Sequence, residues 1–231
     1  MPCPFICICL SSAVALIHFP LENVRRNLLA KVVIDLTMSL DGFITGPNPD
    51  EAHGLGTGLG AKLHDWYFVG SKSDENGEFF QPDESSAKVV EAMMTGGGAA
   101  VIGRKLYDIT GGWGGNHPVP GLHCFVVTHH PPAEVPQGET KFTFVTEGVE
   151  SAIAQAKSVA GDRDIGVAGA NVSQQALKAG LVDELMIHLV PLLLGDGVRL
   201  FEHLGTEGIE LEIVEVIPAK GVTHLRYRVL K

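Results

Sequence analysis

From Lys31 onward the chain alternates strand-like apolar runs with helical segments, and after Ala179 it changes to strand patterns alone. That change of rhythm constrains the fold more than any single motif, because alternation builds parallel sheets whereas helix-free runs must pair antiparallel. Lys31–Met38 reads as a strand closed by the turn signal Asp41-Gly42. Pro82-Asp83-Glu84 opens a helix: its acidic first turn suits the dipole, Val89, Val90, Met93 and Met94 recur at helical spacing, and Gly96-Gly97-Gly98 stops it. Next come a short strand at Ala99–Ile102, a short helix around Lys105–Ile109, a loop at Gly111–Gly115, and strands at His123–Thr128 and Phe142–Val145. Gly148–Lys157 reads as a helix, Asp164–Ala168 as a buried strand, and Val172–Ala179 as a helix ended by Gly180 at C′. Glu184–Leu194, Ile209–Val216 and Thr223–Leu230 are strand patterns without long helices between them. The predicted class is α/β: a three-layer arrangement with a mixed sheet, helices on both faces and an antiparallel C-terminal hairpin.

A chain of 231 residues that is 45% hydrophobic can bury one large core. Its formal charge of -10 argues against nucleic acid or an anionic membrane as partner, since either wants a concentrated basic face. Any phosphate ligand must be met locally, by a few cations and backbone N–H groups at helix starts. Cys3, Cys7 and Cys9 crowd the amino end without the nearby fourth ligand of a closed zinc site, and Cys124 lies in an apolar run as a small buried hydrophobe, so no metal is expected. Phe5–Phe19 is apolar but has no Lys or Arg ahead of it and is short for a membrane span. Residues 1–30 are accordingly expected to lie outside the fold, with a weak anchor or signal as the second reading. Residues 31–231 form the expected domain, in a cytoplasmic protein.

Two strand-to-helix junctions carry the chemical signal. At Val101-Ile102-Gly103-Arg104-Lys105, glycine turns the chain and the following helix begins with two cations. At Val167-Ala168-Gly169-Ala170-Asn171-Val172, a small-residue turn again aims a helix amino terminus at any ligand near the sheet edge. Together they could bracket a dinucleotide; separately each is also plain turn chemistry, and neither is G-x-G-x-x-G. Between Gly46 and Gln81 lie His53, His64, Trp66, Tyr67, Phe79 and Phe80, a mixture too aromatic for a solvated linker, which reads as a lid over a substrate or as a packed Ω-loop. His188, in an apolar strand, reads as a satisfied core histidine.

These residues resemble a known family: the dihydrofolate-reductase-like fold in the form found in the reductase domain of the riboflavin-biosynthesis deaminase-reductase. The resemblance runs from Lys31 to Lys231. It is carried by Met38-Ser-Leu-Asp41-Gly42-Phe-Ile44, Gly103-Arg104-Lys105-Leu-Tyr-Asp108, the strand ending in Thr128, Ala168-Gly169-Ala170-Asn171-Val172-Ser-Gln-Gln-Ala-Leu177, and His188 through Pro191 and Gly195-Asp-Gly-Val-Arg199 to Phe201.

The resemblance implies NADPH, with Gly103, Arg104 and Lys105 near the adenosine phosphates, Thr128 beside the cofactor, and Gly169, Ala170, Asn171 and Val172 under the pyrophosphate. Ala168 stands where many relatives carry glycine, and His129-His130 where they often place Ser or Arg. It further implies a homodimer and a reductase of the 5-amino-6-(5-phosphoribosylamino)uracil type. Dihydrofolate or pteridine reduction, and a non-catalytic cofactor-binding protein, are the alternatives. Because hydride delivery to a C=N bond calls for a balancing proton, Asp41 is the candidate acid, against its reading as a turn residue. Trp66 and Trp113 are candidates to stack on the substrate, against a place in the core. The zinc-deaminase signature of His-x-Glu followed by Pro-Cys-x-x-Cys is missing, so deamination is not expected of this chain.

Overall fold

The computed structural model describes residues 30–70 and 80–231. The amino-terminal expectations, including those on Cys3, Cys7 and Cys9, lie outside the described residues. Ten strands are described: β1 Val32–Ser39, β2 Phe43–Thr45, β3 Gly97–Gly103, β4 His123–Val127, β5 Phe142–Val145, β6 Asp164–Ala168, β7 Glu184–Val190, β8 Val198–Arg199, β9 Leu211–Ala219 and β10 Val222–Val229. The α-helices are α1 Glu84–Gly96, α2 Arg104–Ile109, α3 Val149–Ala160 and α4 Ala170–Lys178. A 3-10 helix covers Gly60–Phe68.

Eight strands form one sheet in the order β5-β4-β3-β6-β1-β7-β10-β9, while β2 and β8 pair separately. From β5 to β7 every pairing is parallel, and β10 runs antiparallel to both β7 and β9. The mixed sheet with its antiparallel C-terminal hairpin thus follows from the change of rhythm after Ala179. Strand alternation sorts the layers. Val32 and Ile34 of β1, Ala99 and Val101 of β3, and Leu185 and Ile187 of β7 pack with α3 and α4 in one core. Ala100 and Ile102 point the other way, toward Tyr107 of α2. Farther along that second face, Val190 and Val222 pack with Val90 of α1 and with Leu63, Trp66 and Tyr67 of the 3-10 helix.

Local chemistry explains the boundaries. Asp83 caps α1, its Oδ1 accepting from the Ser86 amide at 3.0 Å. The expected glycine stop is sharper than a loop, since α1 ends at Gly96 and β3 begins at Gly97. Gly98 has a packing reason, because a Cβ there would lie 2.7 Å from the Ala160 carbonyl oxygen at the end of α3. The Gly111–Gly115 loop forms a turn in which Gly112, Trp113 and Gly114 all adopt left-handed backbone angles.

Inside the sheet runs a polar chain. His188 and His224 face each other across β7 and β10, with Nδ1 to Nδ1 at 2.8 Å. His188 Nε2 meets Asp35 Oδ1 at 2.8 Å, and His224 Nε2 meets Ser86 Oγ at 3.0 Å. If Asp35 is ionised, His188 donates to it, His224 donates to His188, and Ser86 donates to His224, so every ring nitrogen has a partner. His188 is the satisfied core histidine its apolar strand suggested.

Candidate functional site

The connections leaving β3 and β6 diverge. α2 goes to one face of the sheet and α4 to the other, and a crevice opens between them at the carboxyl edge of the strands, where open parallel sheets bind ligands. The cleft there has a volume of about 690 Å³. Gly103, Arg104, Lys105, Thr128, Gly169, Ala170, Asn171 and Val172 all line it, so one cavity gathers all eight residues assigned above to the cofactor.

The two junctions contribute differently. α4 has nine residues, and its N-cap, Gly169, supplies no side-chain cap. Its first amides lie beyond intrahelical hydrogen bonding and are available to an anion. Gly169 holds φ +98, a backbone state that L side chains rarely adopt, and this starts the helix directly after β6. By contrast α2 has six residues and contributes cations more than a dipole. Arg104 is braced: Nε donates to Asp108 at 2.7 Å and Nη1 to the His130 carbonyl, leaving further guanidinium N–H groups for a ligand. Lys105 has no side-chain partner among the described residues. Thr128 Oγ1 donates to the His130 carbonyl at 3.1 Å and accepts from its amide at 3.2 Å, fixing the turn that carries His129 and His130 along the cleft.

The remainder of the wall is mostly apolar: Leu36 and Thr37 of β1, Ile44 and Thr45 of β2, Val198 of β8, and Pro49, Gly54, Leu55 and His64. Residues 46–70 therefore both pack and line. Leu63, Trp66 and Tyr67 anchor the 3-10 helix in the core while His64 faces the cleft. Burial, and next the nearby His188, push the His64 imidazole down to about 4. Thr37, Ile44 and His64 meet at this wall from three separate segments; the aromatic stretch flagged His64 only as part of a lid or a packed loop, and nothing local joined the three.

Three candidates lie off the cleft wall. Asp41 holds a turn: Oδ1 accepts from Ser39 Oγ at 2.6 Å and from the Leu194 amide at 3.1 Å, and Oδ2 accepts from the Gly195 amide at 2.7 Å. The Ser39 hydroxyl, opposed by partial desolvation and reinforced by the two amides, lowers its pKa from 3.8 to about 2. Trp66 is 2% exposed, stacks on Tyr67 at 3.8 Å and donates Nε1–H to Thr37 Oγ1 at 3.3 Å. Trp113 packs on the α2 side, 4.5 Å from the His117 ring. Neither indole lines the cleft: Trp66 is on the core-facing side of its 3-10 helix with Leu63, and Trp113 packs in the cluster around Tyr107.

Asp41→Asn should show this structural role as pH dependence. A carboxylate whose folded pKa is depressed gives stability that is present above about pH 4 and lost as pH falls toward about 2. Urea midpoints of wild type and variant are expected to differ most at neutral pH and to converge near pH 2. A constant gap across that range would place the contribution of Asp41 elsewhere.

The model of the RibD C-terminal domain family matches residues 30–224. The uncharacterized protein YwjB of Bacillus subtilis is 24% identical over 179 residues, covering 77% of this chain and 86% of its own length. Among solved structures, a putative riboflavin biosynthesis protein from Shewanella sp. PV-4 superposes with TM-score 0.64 at 24% identity, over 87% of this chain and 99% of that one. Dihydrofolate reductase from Enterococcus faecalis, solved with NADP(H), gives 0.54 at 14% identity, over 87% and 97%. Acinetobacter baumannii RibD gives 0.56 at 16% identity over 88% of this chain, which spans 59% of that protein. The fold is thus dihydrofolate-reductase-like, and with the family model matched over most of its length, the chain belongs to the RibD C-terminal domain family.

Proposed function

We propose that this protein is an NADPH-dependent reductase of a small heterocyclic substrate, of the kind that acts on 5-amino-6-(5-phosphoribosylamino)uracil. One observation carries the reading: the uncapped amino terminus of α4 and the cations Arg104 and Lys105 line a single cleft, and that cleft continues into an apolar half. Such an arrangement suits a ligand with phosphates at one end and a flat ring at the other. No carboxylate lines the cleft among the described residues.

In this reading the α4 amides and Arg104 hold the phosphates. Gly103 and Gly169 let backbone approach them, and Thr128 fixes the neighbouring turn. The apolar wall keeps water from the reacting carbon. The bound dinucleotide would supply the hydride. With Asp41 engaged in its turn, the balancing proton is assigned to water. The likeness to the E. faecalis dihydrofolate reductase solved with NADP(H), together with membership of the RibD C-terminal domain family, supports the choice of cofactor class.

The deciding assay is NADPH and NADH oxidation against the phosphoribosylaminouracil, its dephosphorylated riboside, dihydrofolate and other pterins. Turnover of the uracil compound with NADPH is expected. Turnover of dihydrofolate alone would make this a pteridine reductase, and cofactor binding without any turnover would leave a binding protein.

The proposed assembly is a homodimer. β9 is the terminal strand of the eight-stranded sheet, and Leu211, Ile213, Val214 and Val216 are all exposed on it, an edge that would otherwise invite uncontrolled pairing. Sedimentation at micromolar concentration should give twice the 24.6 kDa chain mass, and Ile213→Lys with Val216→Lys should give one chain. A single-chain mass for the wild type rejects the dimer.

A further inference from the structure

We propose that His64 is the polar anchor for the substrate: its imidazole makes the hydrogen bond that orients a flat heterocycle in the apolar half of the cleft. This rests on the reductase reading for the ligand's class, but the residue itself is singled out by geometry. Among the described residues, the ionisable side chains lining the cleft are His64, Arg104, Lys105, His129 and His130. Four of them follow β3 and β4, beside the α4 terminus, leaving His64 as the one ionisable group among Leu36, Ile44, Leu55 and Val198.

His64 is also held ready. Leu63, Trp66 and Tyr67 on the same short helix are 0%, 2% and 8% exposed, and Trp66 is pinned to Thr37 of β1, so the helix cannot roll without opening the core. The His64 ring meets the Tyr67 ring edge-on at 5.5 Å. Among the described residues neither of its nitrogens has a hydrogen-bond partner. A half-buried polar ring fixed at an apolar wall, its nitrogens open to the cleft and without a protein partner among the described residues, is matched by a ligand that supplies the partner.

The chemistry narrows that ligand. Burial holds the imidazole neutral at physiological pH, as its low pKa reflects, so it offers one donor and one acceptor and no charge. That complements the N–H and C=O edge of a uracil or pterin ring better than it complements a carboxylate or phosphate. A neutral imidazole of this kind is not a proton source, and no proton transfer is assigned to it.

The test compares His64→Phe, which keeps a ring of similar shape without hydrogen bonding, with His64→Asn, which restores a donor and an acceptor. With the substrate turned over by the wild type, His64→Phe should raise KM about tenfold, and His64→Asn should recover most of that. The NADPH dissociation constant and the thermal midpoint should stay unchanged in both. The imidazole nitrogen resonances of His64, read by 15N NMR with millimolar 6-aminouracil as probe, should shift in the wild type, independently of turnover. Unmoved resonances, or NADPH affinity and stability falling together in His64→Phe, would overturn the proposal. A shift on 6-aminouracil in a protein that binds no dinucleotide would support the anchor while defeating the NADPH reading.

Discussion

Replacing Trp66 by alanine is expected to destabilise the fold by about 3–5 kcal/mol, the range for truncating a buried large aromatic. For a domain of this size each kcal/mol moves the thermal midpoint by roughly 2–4 °C, so the fall should be roughly 6–20 °C. The size follows from what the indole touches. It is 2% exposed, stacks on Tyr67, lies 5.0 Å from the rings of both His188 and His224, and satisfies the Thr37 hydroxyl. Removing it would leave a cavity beside the buried polar chain and release the helix that carries His64. Trp66→Phe, keeping the stacked ring but not the N–H bond, should cost less than half as much. The measurement is a thermal melt of each variant with a substrate titration. A nearly unchanged melt with a large loss of substrate affinity would restore the indole to the ligand.

The fate of Trp66 illustrates what a linear sequence conceals. Strands such as Phe142–Val145 were legible to the residue, because a run of apolar and β-branched residues bounded by turn formers is a local signal. The junctions at Gly103 and Gly169 were legible for the same reason: strand, small residue and helix stand next to each other in the chain. The other half of the cleft was not. Whether an aromatic residue in an irregular segment lines a cavity or fills a core depends on the face its helix presents, and Gly60–Phe68 is a 3-10 helix that buries Gly60, Leu63 and Trp66 at a spacing of three, which an α-helical or strand period does not pick out. Asp41 shows the same limit. Its two amide partners, Leu194 and Gly195, are 153 and 154 residues away, so the turn that Asp41 holds depends on the return of a distant loop. The small β2–β8 sheet, which places Ile44 and Val198 on the cleft wall, likewise pairs segments too short to register alone.

The cofactor assignment is tested most cleanly at Asn171, where Asn171→Glu is expected to weaken NADPH binding at least tenfold, about 1.4 kcal/mol or more, while leaving the fold intact. Gly169 is a poorer probe. Its φ of +98 means that any side chain strains the turn, and affinity and stability would fall together. Asn171 is exposed, lines the cleft and occupies the first turn of α4, with its Oδ1 accepting from Gln175 Nε2 at 2.6 Å. A carboxylate in a first turn is favoured by the helix dipole, by roughly 0.3–1 kcal/mol, so Asn171→Glu should melt no earlier than the wild type. The same carboxylate would compete for the free amides and repel a pyrophosphate brought to them. Two opposite signs from one substitution, a held or raised midpoint and a weakened nucleotide, are not produced by a general packing defect. Asn171→Gln, of similar length without the charge, should bind NADPH nearly as well as wild type, and the loss in Asn171→Glu should shrink as salt is added. If Asn171→Glu binds NADPH unchanged in fluorescence titration at low salt, the phosphates do not sit at α4, and the cations of α2 would have to hold them without it.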